Sequence, residues 1–338
     1  MELYLDSVDL DEIKAGFELG FLTGLTTTPT FMHRHGVTDI DGMILQLQDM
    51  VPVLQVEALG RTAKDIYAEA HRLIEIGVDP EKTVFKIPVS FDGVKVCKQL
   101  VDEGLMVNIH LVYTLQQAYM ALEAGATYVC PLVGRLQDQG HDALALIEQC
   151  VDAVERYGYA GNIMFSSVRH AEHVRNAINI GVHTITVPYK VLRQLTENNF
   201  TTVGTEQFFE HTHLMTAKVC DVIRPSNPLV SVDTDLTETV VKMTEFGFGG
   251  VTVVDSDGKL IGAFTDGDLR RLIQQEGRDA LKKTLTDIDF KDPITIAANA
   301  LLNEAHDLFK QSHVDTLIVV DEGKPIGILD IQDLNENV

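Results

Sequence analysis

The chain has 338 residues, of which 45% are apolar, and a formal net charge of −23 at pH 7. This length suffices for two domains, or for a barrel and a smaller module. The acidic excess is spread over both halves of the chain and argues against a nucleic-acid partner, because phosphates bind to basic surfaces. No apolar run predicts a membrane span, and the N-terminal residues lack the pattern of a signal peptide. Four widely spaced cysteines favour a reducing cytoplasm.

Short apolar runs alternate with amphipathic stretches up to Pro188. Eight runs are predicted as strands: Glu2–Asp6, Leu22–Thr27, Val53–Glu57, Val84–Val89, Val107–Tyr113, Tyr128–Val133, Ile163–Val168 and Thr184–Pro188. Helical patterns lie between most of them, for example at Ala63–Ile76, Gly93–Glu103, Leu115–Ala124, Ala143–Tyr157 and Ala171–Ile180. Strands that alternate with helices in this way predict an α/β fold, a (β/α)8 TIM barrel. A doubly wound open sheet is the alternative, although no glycine-rich dinucleotide loop follows the first strand.

Lys86 is a single charge inside the apolar segment Thr83–Val89. An unpaired ammonium is costly to bury, so such a lysine often serves as an amine that attacks a carbonyl and forms a Schiff base. Two structural alternatives are an edge strand whose lysine points to water and a lysine paired with a buried carboxylate. Asn108 and His110 are two residues apart and therefore lie on one face of the predicted fifth strand. Both side chains enter the lumen of the barrel if that face points inward.

The second part of the chain contains an internal repeat. Thr205–Ile223 is predicted as a helix, and the prolines of the following segment, 224–228, mark a boundary. Gly262 and Asp268 recur 65 residues later as Gly327 and Asp333, each time in a helix–strand–turn–strand–helix pattern. The two copies, 224–275 and 285–336, predict one pseudo-symmetric module. We therefore expect a barrel over 1–215 and a smaller module over 216–338.

Four segments of the barrel region resemble the transaldolase and fructose-6-phosphate aldolase family, above all its small, aldolase-like branch. They are Met1–Asp6, Gly24–Thr30, Phe85–Val89 and Tyr128–Arg135, and the resemblance covers residues 1–215 in order. It implies a barrel whose lysine, here Lys86, forms a Schiff base with a ketose donor and needs no cofactor. The expected protein is a cytoplasmic, homo-oligomeric aldolase or transaldolase of phosphorylated sugars in carbohydrate metabolism.

The resemblance also implies roles for other residues. Asp6 matches a carboxylate that handles protons on substrate hydroxyls. Gln55 matches a position that is glutamine in the aldolase branch and glutamate in true transaldolases, and Asn108 matches an asparagine of the fifth strand. The residues that match those holding the substrate phosphate are Arg135, Ser167 and Arg169.

Three positions depart from the family pattern. Thr28 replaces an asparagine that contacts the donor, His110 replaces a threonine that positions a catalytic water, and Leu132 replaces an aromatic residue. We expect Thr28 to bind substrate. We expect His110 to act as an acid or base, directly or through a water shared with Gln55.

Two other functions stay open at this point. One is a repurposed or non-catalytic barrel, in which the ligand response of the second module is the main function. The other is a sugar-phosphate isomerase that uses Asp6 and His110 for proton transfer without needing Lys86. No metal site is expected in either case.

The segment Gly262–Arg271 resembles a CBS domain, and the pair of repeats resembles a tandem CBS (Bateman-type) module. The resemblance implies an adenosine nucleotide or nucleotide-sugar effector. Thr265 and Asp268 match its phosphate-contacting and ribose-contacting positions, and Asp333 matches the ribose carboxylate of the second repeat. Asp330 replaces a hydroxyl residue there and would repel a phosphate, so we expect one good site at most. The alternative is a module that only dimerises the enzyme.

Overall fold

The computed structural model describes residues 1–224, 226–290 and 292–336. The chain divides into two compact units, one from Met1 to Glu197 and a second that begins at Asn198. Within the described residues, no helix is both long enough and apolar enough to cross a membrane.

The first unit is a closed barrel of eight parallel strands in sequential order. The strands are β1 Glu2–Asp6, β2 Gly24–Thr26, β3 Leu54–Glu57, β4 Thr83–Pro88, β5 Met106–Val112, β6 Tyr128–Pro131, β7 Asn162–Phe165 and β8 Thr184–Pro188. The helices are α1 Leu10–Phe17, α2 Pro29–Arg34, α3 Ile40–Met50, α4 Ala63–Glu75, α5 Phe91–Asp102, α6 Leu115–Glu123, α7 Val133–Asp138, α8 Ala143–Tyr157, α9 Ala171–Ile180 and α10 Tyr189–Gln194. The predicted TIM barrel is confirmed, and every predicted strand overlaps an observed one.

Alternation along the strands separates two buried layers. One set of side chains packs outward under the helices and forms the main apolar core, for example Leu5, Phe85 and Ile109. The other set points into the lumen, where Tyr4, Val84, Tyr128, Cys130 and Met164 form a separate apolar cluster. The hydroxyls of Tyr4 and Tyr128 lie 2.8 Å apart inside this cluster. Val84 and Lys86 are two residues apart on β4, so Lys86 occupies the next layer of the same lumen face.

The second unit contains two three-stranded sheets, one for each sequence repeat. The first repeat comprises β9 Leu229–Ser231, α13 Leu236–Phe246, β10 Gly250–Val254, β11 Leu260–Thr265 and α14 Asp266–Glu276. The second comprises β12 Thr295–Ala297, α15 Leu302–Ser312, β13 Thr316–Asp321, β14 Lys324–Asp330 and α16 Ile331–Glu336. In both sheets the short first strand is parallel to the second and the third is antiparallel to it. The predicted internal repeat is therefore confirmed.

The helix predicted over Thr205–Ile223 has different bounds. It is replaced by α11 Asn199–Thr216 and the short α12 Val219–Val222. The Asn198 side chain accepts from the Phe200 backbone N–H and fixes the earlier start. The chain becomes extended at Ala217, and Lys218 then pairs with Leu301, which ends the helix before α12.

Candidate active site

A cavity of about 610 Å³ opens at the carboxyl ends of the barrel strands. In a TIM barrel this end carries the catalytic groups, because the loops that follow the strands converge there. Most of the predicted site residues line the cavity, namely Asp6, Thr28, Lys86, Asn108, His110, Arg135, Ser167 and Arg169. The predicted Gln55 does not line it.

Lys86 is buried inside this cavity, with 5% of its side chain exposed. Its Nζ donates to the backbone oxygen of Thr27 at 2.6 Å and lies 3.2 Å from Oε1 of Glu57. Glu57 and Lys86 are register partners on β3 and β4, so the backbone places the two side chains side by side. Of the structural alternatives, the paired lysine is therefore the one observed, although the pair faces a cavity rather than a closed core.

Glu57 also contacts His110. Oε2 of Glu57 lies 2.9 Å from Nε2 of His110, so one carboxylate bridges the amine and the imidazole. Leu111 follows His110 with a φ of 57°, and the register between β5 and β6 shifts there. A branched side chain at positive φ is strained, so the surrounding structure must hold Leu111 in this conformation. The β-bulge is therefore a defined feature of the strand that carries His110.

Glu57 was not predicted as a site residue, because in the sequence it is only the last residue of a predicted strand. A signal was present. Glu57 lies two residues after Gln55 and therefore on the same face of β3, at the carboxyl end of a barrel strand.

The pKa values of the two carboxylates of the site are shifted in opposite directions. Burial alone would raise the pKa of Glu57, but the charges of Lys86 and His110 outweigh it and hold that pKa below its ordinary value. Burial raises the pKa of Asp6, although the charge of Lys86 and a hydrogen bond from Thr26 act against it. Burial also lowers the pKa of His110, against the opposite effect of Glu57. The pKa values of the two carboxylates are thus pushed apart, which is typical of acid and base groups in an active site.

Asp6 is held by a hydroxyl from the neighbouring strand. Thr26 Oγ1 donates to Oδ1 of Asp6 at 2.9 Å and lies 2.5 Å from Oγ1 of Thr186. Asp6 therefore keeps its orientation at the mouth of β1 while its carboxylate faces the cavity.

Gln55 lies beneath the cavity and acts on it through Asn108. Nδ2 of Asn108 donates to Oε1 of Gln55 at 2.6 Å, and both residues are fully buried. Oδ1 of Asn108 has no hydrogen-bond partner among the described residues. A buried amide oxygen without a partner is costly, so Asn108 offers an acceptor to a bound hydroxyl.

The predicted phosphate residues come together at the ends of β6 and β7. Gly134 lies so close to the Ser167 backbone that a Cβ at this position would be 2.0 Å from the Ser167 carbonyl oxygen. Only glycine permits this approach, which brings α7 and its Arg135 against Ser167 and Arg169. Arg169 pairs with Asp138 at 2.9 Å, and about half of its side chain is exposed, so the guanidinium can also reach an anion in the cavity.

His173 on α9 contacts the segment that carries Arg169 and also contacts α7. Its Nδ1 accepts from the Arg169 backbone N–H at 3.2 Å, and its Nε2 lies 2.7 Å from Oε1 of Gln137. This arrangement requires the neutral imidazole with the proton on Nε2. Burial lowers the pKa of His173 to about 4, helped by the charges of His170 and Arg169.

The remaining departures from the family pattern also face the cavity. Thr28 lines it, but its Oγ1 accepts from the Phe31 backbone N–H at 3.3 Å and caps α2. Leu132 lines the wall near Arg135. Within the described residues, no group of three or more His, Cys, Asp or Glu side chains could hold a metal ion.

In the second unit, the predicted ligand residues make local structural bonds. Thr265 and Asp268 form the capping box of α14, and Oδ1 of Asp268 also contacts Arg271 at 2.5 Å. Asp333 is buried and pairs with Arg224 at 2.8 Å. A cavity of about 350 Å³ lies beside α13, and neither Asp268 nor Asp333 lines it.

Comparisons with known proteins find two kinds of domain in the chain. The family model for transaldolase/fructose-6-phosphate aldolase matches residues 3–223, and the CBS domain model matches residues 219–275 and 285–338. A probable transaldolase of Coprothermobacter proteolyticus is 37% identical over 212 residues, which are 62% of this chain and 94% of the relative. A probable transaldolase of Syntrophobacter fumaroxidans is 36% identical over 214 residues, 62% of this chain and 96% of the relative.

Among solved structures, a CBS-domain containing protein from Agrobacterium tumefaciens matches 35% of this chain and 91% of its own, with 21% identity and a TM-score of 0.33. The family model for the barrel covers well over half of the chain. The chain therefore belongs to the transaldolase/fructose-6-phosphate aldolase family and carries two CBS domains after the barrel.

Proposed function

We propose that this barrel is a Schiff-base aldolase or transaldolase that acts on phosphorylated sugars, with Lys86 as the nucleophile. The supporting observation is a buried amine that faces a cavity at the carboxyl end of the barrel, with Glu57 on the neighbouring strand and Asp6 on the wall of the same cavity. A lysine whose only task was structural would have no need of a cavity large enough for a sugar phosphate.

The proposed reaction uses the iminium as an electron sink. Once Lys86 has formed an iminium with the ketose carbonyl, the adjacent C–C bond can break and leave its electron pair as an enamine. Asp6 takes the proton of the substrate hydroxyl as an aldehyde leaves, and its raised pKa suits this task. Arg135, Ser167 and Arg169 bind the phosphate.

The fate of the enamine separates the two activities. In an aldolase of the fructose-6-phosphate aldolase type, the enamine carbon takes a proton and the ketone is released by water. In a transaldolase, the same carbon attacks a second aldehyde. Turnover of a ketose phosphate without an added acceptor indicates the first activity, and strict dependence on an acceptor indicates the second.

Borohydride trapping tests the proposal. The protein is incubated with a panel of ketose phosphates, reduced and digested, and we expect a mass adduct on the peptide that contains Lys86. Lys86→Met should abolish both adduct and turnover. Lys82→Met is the matched control, since Lys82 is an exposed lysine just before the same strand and should leave both unchanged. Isomerisation of a sugar phosphate that persists in Lys86→Met would support the isomerase alternative instead.

We also propose that the CBS pair responds to an adenosine nucleotide or nucleotide sugar at the first repeat. The support is the family match and the presence there of Thr265 and Asp268. A nucleotide panel scored by the melting temperature should give a ligand whose effect is lost in Asp268→Ala. Asp287→Ala is the control, because Thr284 and Asp287 form the same capping box elsewhere in this unit. A flat panel would favour a module that only assembles the enzyme.

The remaining expectations stay proposals. A homo-oligomer fits the exposed aromatic side chains of α11, which include Phe200, Phe208 and Phe209, and the sedimentation coefficient of Phe208→Ser would test it. A cytoplasmic location fits the four free cysteines, three of which are buried. We place the barrel domain at 1–215 and the CBS module at 216–338.

A further inference from the structure

Three ionisable side chains on three successive strands form a continuous chain of contacts. Glu57 lies at the end of β3, Lys86 on β4 and His110 on β5, and the Glu57 carboxylate contacts the other two through separate oxygens, at 3.2 Å and 2.9 Å. All three are nearly excluded from solvent, with side-chain exposures of 7%, 5% and 10%. A buried carboxylate between two nitrogen groups is expensive to assemble, and its position at the cavity points to a chemical task.

Glu57 was not among the acid and base groups predicted from the sequence. Gln55 occupies the site at which true transaldolases have glutamate, and it lies beneath the cavity against Asn108. Glu57 lies one step further along the same face of β3 and reaches the amine directly. We propose that Glu57 is the acid and base that serves the Lys86 amine and that His110 positions it. This inference rests on the proposed Schiff-base function.

The proposed steps conserve protons and charge. Glu57 takes one proton from the Lys86 ammonium, and the neutral amine attacks the ketose carbonyl to form the C–N bond. A second amine proton moves to the former carbonyl oxygen, which becomes a hydroxyl. Glu57 returns its proton to this hydroxyl, the C–O bond breaks and water leaves. The iminium keeps the third proton and is paired with the Glu57 carboxylate.

The geometry favours Glu57 over Asp6 for these steps. The proton must be taken from and returned to positions around the Lys86 nitrogen, and Glu57 lies within ion-pair distance of it. Once it has returned its proton, Glu57 is ionised again beside the two nitrogen groups, and its charge stabilises the cationic iminium. Asp6 remains available for the proton of the substrate hydroxyl.

His110 acts through Glu57 and is therefore a positioning residue for this step. Its Nε2 contacts the carboxylate oxygen that does not face the amine, which leaves the other oxygen directed at Nζ. The family pattern has threonine at this position, and a threonine side chain is too short to reach the same oxygen. Glu57 and His110 thus act together on the Lys86 amine.

Two reactions of Lys86 with opposite requirements test the inference. Acetic anhydride acetylates a neutral amine and needs no later proton transfer, whereas iminium formation needs a proton on the departing hydroxyl. In Glu57→Gln the ammonium loses its counter-charge, so acetylation of Lys86 near pH 7 should become about tenfold faster. Ketose turnover and the rate of borohydride-trapped adduct formation should fall by about 10²–10⁴-fold.

A surface pair provides the matched control. Oε2 of Glu103 lies 3.0 Å from Nε2 of His71, far along the chain from the site, and Glu103→Gln should change neither reaction of Lys86. Chemical rescue separates proton transfer from structural support. Formate should restore part of the turnover of Glu57→Ala, because it can carry the missing proton, and should not restore Lys86→Met. His110→Gln, which keeps a donor near the carboxylate, should lose less turnover than His110→Ala.

The outcomes are distinguishable. Unchanged turnover in Glu57→Gln, or acetylation and turnover that fall together without rescue by formate, would overturn the role of Glu57. Absence of any ketose adduct in the wild-type protein would instead refute the proposed function, and the acetylation experiment would still report whether Glu57 controls the amine.

Discussion

The two units use acidic side chains in opposite ways. At the open end of the barrel, Asp6 and Glu57 are directed into a cavity and interact with groups that can react. In the second unit, Asp268 and Asp333 are held by a helix terminus and by an arginine, and neither lines the neighbouring cavity. A carboxylate whose position in the sequence matches a ligand-binding position can therefore make structural bonds in the folded chain.

The carboxylates of the two units differ in this way for a physical reason. A charge inside a barrel strand has no local backbone group to satisfy, so its presence requires a partner or a reaction. A Thr-x-x-Asp spacing at a helix start satisfies the free backbone N–H groups of that helix without any ligand. The first pattern is thus the stronger indicator of function.

The largest expected effect separates the two steps of the barrel reaction. In Asp6→Asn, turnover should fall by about 10²–10⁴-fold, because the hydroxyl proton loses its acceptor. The borohydride adduct on Lys86 should still form, since iminium formation does not need Asp6. Asp11→Asn, an exposed change on α1, serves as the control. Loss of the adduct in Asp6→Asn would assign Asp6 to the earlier step.

The second effect is a dependence of barrel stability on pH. The unfolded chain protonates His173 near pH 6.5, and the folded barrel does so only near pH 4. The free energy of unfolding should therefore fall as the pH is lowered through this window, by at most about 3 kcal/mol, and the loss should shrink in His173→Gln.

Tyrosine fluorescence is a clean probe for that measurement. The chain has no tryptophan, and its eight tyrosines all precede Asn198, so the signal reports the barrel unit alone. His33→Gln, an exposed change on α2, is the control. A His173→Gln profile that parallels the wild type would rule out the neutral buried imidazole as the cause.

The third effect belongs to the second unit. Arg224 pairs with buried Asp333 and lies 4.9 Å from the ring centroid of Phe248, so it joins the two repeats. Arg224→Met should lower the stability of this unit by about 2 kcal/mol, less than for a fully buried pair because a third of the arginine is exposed.

Hydrogen exchange followed by mass spectrometry reads this unit separately. Peptides from α15 and β13 should exchange faster in Arg224→Met, while barrel tyrosine fluorescence stays as in the wild type. Arg278→Met, at an exposed position, should leave both unchanged. Equal exchange in Arg224→Met and the wild type would mean that the pair contributes no stability.

The smallest expected effect concerns the two capping boxes of the second unit. Thr265→Val removes one half of the α14 capping box and should cost about 1 kcal/mol. Thr284→Val removes the equivalent hydroxyl at Leu285–Asp287 and should cost a similar amount. If only Thr265→Val also abolishes a nucleotide-dependent change in melting temperature, then Thr265 has a ligand role beyond the cap.

The sequence was sufficient for the barrel, the internal repeat and Lys86, because each depends on periodicity or on one misplaced charge. The sequence also places Glu57 on the same face of β3 as Gln55, but the contacts of Glu57 with Lys86 and His110 depend on the register between β3, β4 and β5, which no single segment encodes. The bounds of α11 were missed for another reason. That helix has no buried residue, so no apolar periodicity marks where it begins.

The short helices α2, α7 and α10 were also missed, because each occupies a loop between a strand and the next main helix. These short helices place residues of the cavity wall. α7 brings Arg135 to the cavity, and Thr28 both caps α2 and lines the wall. Loop helices of one or two turns carry too few residues for a periodic signal.

The order of the strands separates the groups around the Lys86 amine from those that bind the phosphate. Glu57, Lys86 and His110 all lie within the continuous stretch Leu54–Val112, whereas Arg135, Ser167 and Arg169 come from the following one. A barrel of repeated strand–helix units can be cut between these stretches. The segment that carries the groups around the Lys86 amine could therefore be grafted into a related barrel, while the recipient keeps its own anion site and its own carboxylate at the position of Asp6.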